Sequence, residues 1–268
     1  MTANESDIEI SVLPLSWHAL SQLSGTQKAF FVLTSHALTE CNIYFRLFQL
    51  HINQPKDDIS RSLTIIQCNA IRRTLTSKAF EAIEFIFKIS KRKSVEYEEI
   101  KTLLNEFKDR IAHLRGNNWR PAANGATSHP GLSKVAWIRN QVCNHFSIES
   151  VVARIEAMED NPDAWMYIGD EAQNCYFEIG EAVGFSEPVR VARKDGSGSF
   201  ETVEDSDIWS DWVAEAVILL REVHAKFYKE VVAAKITPFP VVEPRVIPAE
   251  MVANLGEYSV PLVTRATP

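Results

Sequence analysis

The chain has 268 residues, 46% of them hydrophobic and 24% charged, which is ordinary globular composition with enough apolar material for a buried core. No apolar run approaches the roughly 20 residues that span a bilayer. The polar, acidic start does not read as a secretory signal, so a soluble cytoplasmic protein is expected, with no membrane partner. The net charge of −7 also argues against a generally basic nucleic-acid-binding surface.

The length fits one large domain with decorations, or two small ones. The four cysteines, Cys41, Cys68, Cys143 and Cys175, show no CxxC spacing and no histidine at finger spacing. Buried thiols in a reducing compartment are expected rather than a zinc site or a disulfide framework.

In chain order, residues 1–25 read as a lead, with an apolar run over 8–15 and a short amphipathic stretch ending at Leu23. Gly25 breaks that stretch and Thr26 can cap the next helix. Over 27–53 the apolar residues Phe30, Leu33, Ala37, Cys41, Tyr44, Phe48 and Ile52 recur at helical steps, and Pro55 ends the run. Asp57 or Asp58 opens a second long helix. Its stripe runs from Ile59 through Ile83 to Ile89, and Lys91, Arg92 and Lys93 complement its C-terminal dipole. A third helix is predicted from Ser94 to about Leu114. Long helices on short connections predict a mainly α fold, an antiparallel helical bundle over residues 26–235.

Residues 115–131 are a loop rich in Gly, Asn and Pro. Helices are predicted over about 132–146 and 148–158. The helical period then disappears, and short β-like runs at 165–168, 176–179, 189–192 and 200–203 predict a small β insertion within about 160–203. Residues 171–181 fit a helix equally well. Asp207 opens a strong final helix with Trp209, Val213, Ala216, Leu220, Val223, Phe227 and Val231 on its buried face. Prolines 238, 240, 244 and 248 make 236–268 an irregular tail, able to pack on the body or on a neighbour. All β structure is expected inside 160–203.

Most motifs of chemistry are missing. The chain has no phosphate-binding P-loop, dinucleotide fingerprint, nucleophile elbow or HExxH pair. Gly196, Ser197 and Gly198 read as a turn, and Glu40, Glu98 and Glu99 as solvated helix faces. Of seven histidines, six have no company in the sequence. His36 reads as a satisfied core or boundary residue, and His51 as a surface residue. His18 has no evident role, His113 and His224 sit near helix ends, and His129 lies in the loop, where it can line a site.

His145 differs. It belongs to the run Trp137, Ile138, Arg139, Asn140, Gln141, Val142, Cys143, Asn144, His145, Phe146, with five residues between Arg139 and His145. This run resembles the HEPN superfamily, marked by an Arg, commonly a polar residue next, and a His four to six residues downstream. The apolar pair before Arg139, the aromatic Phe146 and the late position in a bundle add to the likeness.

The resemblance implies a helical bundle, commonly dimeric, that cleaves RNA without a metal or other cofactor. RNA carries its own nucleophile, the ribose 2′-hydroxyl. His145 would take that proton or protonate the leaving 5′-oxygen. Arg139 would hold the phosphate and stabilise transition-state charge, and Asn140 would orient either group. The products would be a 2′,3′-cyclic phosphate and a 5′-hydroxyl. RNA is the implied substrate, and an antitoxin or other regulatory protein a possible partner.

On an ideal helix, positions six apart diverge by about 120°, so Arg139 and His145 do not share a face. A composite site between two copies of the motif relaxes that constraint. The competing readings are a HEPN-like protein that binds without cutting, and an unrelated helical adaptor. In the latter, Arg139 and Asn140 make a salt bridge or cap contact and His145 packs at a helix end.

Overall fold

The computed structural model describes residues 8–12, 15–52, 58–116, 128–137, 166–167, 176–177, 203–241 and 243–247, and these are mostly helical. In order they form β1 (Ile8–Val12), α1 (Trp17–Leu20), α2 (Gly25–Ile52), α3 (Asp58–Ser90), a 3-10 turn (Val95–Tyr97), α4 (Glu98–Asn105), α5 (Lys108–Arg115) and α6 (Leu132–Trp137). Next come β2 (Met166–Tyr167), β3 (Tyr176–Phe177), α7 (Val203–Phe227), a π turn (Tyr228–Val232), α8 (Ala233–Lys235) and β4 (Glu243–Ile247). Among the described residues, no helix is long and apolar enough to cross a membrane.

α2 begins at Gly25, just ahead of the expected Thr26 cap. The Ser24 hydroxyl accepts the Gln27 backbone N–H (3.3 Å), and the Gln27 side-chain Oε1 accepts the Ser24 backbone N–H (2.9 Å). This reciprocal pair satisfies two backbone donors at the helix start. α3 opens at Asp58 and ends at Ser90, as the capping and charge signals predict.

The third helix departs from expectation. It is split into α4 and α5, with the Phe107 N–H tightened onto the Leu104 carbonyl (3.0 Å). Ile100, Leu103, Leu104, Ile111 and Leu114 are nevertheless all buried. The apolar stripe runs unbroken through the split, so spacing carries no sign of it. Gly116 closes α5 at φ 62°, a region that glycine enters without a Cβ penalty.

α7 begins at Val203, four residues before Asp207 and inside a run read as β-like. It packs on α2, α3, α5 and α6. Its side chains Trp209, Trp212, Val213, Ala216, Leu220, Val223 and Phe227 form the centre of the core with Phe30, Phe80, Ile83 and Ile86. The Phe30 and Phe227 rings lie 4.8 Å apart. The π turn re-phases the helix so that adjacent Val231 and Val232 are both buried.

β structure is not confined to 160–203. β1 pairs antiparallel with β4, Ile8 opposite Ile247 and Val12 opposite Glu243. The alternation of Ile8, Ile10 and Val12 with Glu9 and Ser11 is a strand period inside what read as a lead. Pro244 is tolerated because a two-stranded ladder leaves each strand with an outer edge. The start of the tail is held by its own chain. Gln22 donates to the Thr237 carbonyl (3.1 Å) and accepts the Thr237 N–H (3.0 Å), and Phe239 meets Tyr228 edge-on. Within 160–203, β2 and β3 pair antiparallel over two residues each.

The turn before α6 approaches α7 very closely at Gly131. A Cβ there would lie 2.5 Å from the Ile208 carbonyl oxygen and 3.2 Å from the Trp212 Cβ. Gly131→Ala should therefore destabilise the fold by about 1–3 kcal/mol, the usual cost of overpacking. Urea unfolding checks it, and an unchanged midpoint would show that the two elements are not in register there.

Candidate functional site

Arg139, Asn140 and His145 lie outside the described residues, as do Cys143 and Cys175. α6, which ends at Trp137, leads to Arg139 two residues later. Leu132, Val135 and Ala136 of α6 are buried, so the segment enters from an element seated in the core.

Close to the start of α6 lies a polar group that the sequence did not disclose. His113 comes from the last turns of α5, His129 from the turn before α6, and Glu215 from the middle of α7. Their ligand-type atoms all lie within 4.8 Å of one another. The His129 N–H donates to the His113 carbonyl (2.9 Å), and the two rings meet edge-on with centroids 5.3 Å apart. The His129 Nε2 is 3.6 Å from one Glu215 oxygen, and the His113 Nε2 is 4.0 Å from the other.

His129 is 5% exposed. Burial pushes its pKa below the ordinary histidine value. The charge of His113 acts in the same direction, while Glu215 and Asp211 oppose it. Neutral imidazole has one donor nitrogen and one acceptor. The Gly131 N–H donates to Nδ1 (3.0 Å), so Nδ1 is the acceptor and the proton sits on Nε2, facing Glu215.

Two histidines and a carboxylate are a familiar ligand set for zinc, but His129 does not fit one. A metal on Nε2 needs that proton removed and Nδ1 carrying a proton toward an acceptor. Here Nδ1 faces the donor of Gly131. Nδ1 is taken by the Gly131 N–H, and Nε2 faces Glu215 of α7 across 3.6 Å. The group is an anchor.

Other histidines also differ from expectation. The His36 side chain is 68% exposed, 3.4 Å from Glu40, and is not a core residue. His51 is buried rather than at the surface, with Nδ1 2.8 Å from the Leu47 carbonyl. His224 is partly buried against Phe31 (5.2 Å between ring centroids), with the Thr34 hydroxyl 3.0 Å from Nδ1. Burial lowers its pKa too. Glu40 and Glu99 are not merely solvated. Glu40 pairs with Lys78 at 2.8 Å, and Glu99 accepts from Gln27 and Lys235, both at 2.5 Å. Cys41 and Cys68 are buried thiols as expected, and burial pushes the Cys41 thiol up to about 12.

The two lowered histidines set an acid limit. A base held neutral in the fold takes up more protons when unfolded, so stability is complete above about pH 6.5 and falls as pH drops through the folded-state values. The melting temperature should fall between pH 7 and pH 5. His224→Gln should flatten part of that slope; a variant with the wild-type slope would show that His224 does not titrate with folding.

No protein-family model, curated protein or solved structure matches the chain.

Proposed function

We propose that this chain is a metal-independent endoribonuclease of the HEPN type, acting as a cytoplasmic toxin or phage-defence effector. The observation that carries the reading is the run Arg139, Asn140 to His145, entered two residues beyond α6. The mostly helical composition and the packing of α7 on both α2 and α3 support the antiparallel bundle that such a protein needs. Residues 53–57, which join α2 to α3, are short enough for neighbouring antiparallel helices. The antiparallel pairing of β2 with β3 is consistent with a small β insertion.

In this reading two chains form a homodimer whose motifs meet around a two-fold axis. His145 moves the 2′-hydroxyl or leaving-group proton, and Arg139 stabilises the phosphate as charge builds on it. Asn140 orients one of them. The chemistry needs no cofactor, because RNA supplies the nucleophile. An antitoxin or regulatory protein would keep such an activity in check.

A second reading is a HEPN-like binding or adaptor protein that does not cut, favoured by the net charge of −7. Incubating the purified chain with total RNA in EDTA separates the two. Cleavage that persists in EDTA is the expected result. RNA left intact under all conditions would favour the adaptor.

A further inference from the structure

We infer that the hydrogen bond from the Gly131 N–H to the His129 ring is an acid-released latch on the turn that precedes α6, the helix that leads into the Arg139–His145 run. The inference rests on the geometry around residues 113, 129, 131 and 215 and does not depend on the ribonuclease reading.

Two contacts fasten this turn to the body. One is steric: the Gly131 backbone lies so close to the Ile208 carbonyl that a methyl group would not fit. The other is polar. The Gly131 N–H donates to the His129 Nδ1, and the His129 Nε2 faces Glu215 on α7. Backbone bonds lock the same turn in place: the Leu132 N–H donates to the His129 carbonyl (3.0 Å) and the His129 N–H to the His113 carbonyl. His129 thus links the end of α5, the start of α6 and the middle of α7.

Protonation changes the sign of one contact. With both nitrogens protonated, Nδ1–H faces the Gly131 N–H, and two donors meet where a donor met an acceptor. The Gly131 bond must break, leaving a buried backbone donor without its partner. The charged and titratable groups facing the ring are Glu215 and Asp211 from α7 and His113 from α5. The two carboxylates favour the charged ring, and His113 and burial disfavour it. Acidification therefore loosens the turn while it tightens the pairing of His129 with Glu215. The Gly131 hydrogen bond is the element released.

The test is amide hydrogen exchange at Gly131 in the full-length chain, expressed as a protection factor so that the intrinsic pH dependence of exchange is removed. Wild-type protection should be high at pH 7.5 and fall by up to about tenfold per pH unit below 6.5. His129→Asn keeps an oxygen able to accept the Gly131 N–H but cannot titrate. Its protection should stay level from pH 7.5 to pH 5. His129→Ala should be poorly protected throughout. A wild-type profile that is flat, or a His129→Asn profile that falls in parallel with it, would overturn the latch. So would stoichiometric zinc binding at pH 7.5 that is lost in His129→Asn and leaves Gly131 protected, since Nε2 would then not carry the proton.

Discussion

Trp212→Ala should destabilise the protein by about 3–5 kcal/mol, the range for removing a large aromatic from a packed core. Trp212 is completely buried, faces Phe80 with ring centroids 6.4 Å apart, and lies beneath the point where Gly131 approaches α7. Its indole Nε1 donates to the Leu114 carbonyl at 2.9 Å. That carbonyl is in the last turn of α5, where helix carbonyls lack an intrahelical partner. Alanine would thus open a cavity and also strand a buried acceptor. Trp212→Phe should separate the two effects, retaining most of the ring and costing about 1–3 kcal/mol for the stranded carbonyl. Urea unfolding followed by circular dichroism measures both. A Trp212→Ala variant within about 1 kcal/mol of wild type would mean that α5, α6 and α7 do not share one core.

His145→Ala should lower RNA cleavage by about 100-fold or more, the usual scale for losing a general acid or base. Arg139→Ala should do comparable harm, because stabilising charge in the transition state is often a larger contribution still. Arg139→Lys should rescue little, since an ammonium cannot reproduce the bidentate fork of a guanidinium. Each variant must melt like wild type and keep its assembly state before rates are compared. Equal rates for His145→Ala and wild type would remove His145 from the chemistry. Alanine variants that lower only the melting temperature would assign both residues a structural role.

The long elements were legible because their signals are local. Gly25, Pro55, Asp58 and the basic run after Ser90 bound α2 and α3 close to where the structure places them. The stripe of α7 was legible for the same reason: Trp209, Val213, Ala216, Leu220, Val223, Phe227 and Val231 are all buried. The stripe of α2 was only partly right. Leu33 is 47% exposed while its neighbour Thr34 is fully buried. Thr34 satisfies its hydroxyl on the Phe30 carbonyl (2.8 Å) and against His224, so hydrogen bonding lets a polar residue take the core position.

What the sequence hid was non-local. β1 and β4 come from opposite ends of the chain, and pairing partners that far apart leave no mark in either segment. His113, His129 and Glu215 belong to three elements, so no spacing rule unites them. The one available signal was His129 two residues before Gly131, in the turn that precedes α6, since a side-chain acceptor there can bond a free backbone N–H. The motif that carries the functional proposal, Arg139, Asn140 and His145, lies outside the described residues. Its reading rests on the sequence run and on the helix that leads into it.

The chemical identity of the cleaved ends tests the central claim most directly. RNA digested by the wild-type chain in EDTA should carry 2′,3′-cyclic phosphate and 5′-hydroxyl termini, the signature of attack by the ribose 2′-hydroxyl. Termini with a 3′-hydroxyl and a 5′-phosphate, or RNA that remains whole, would contradict it.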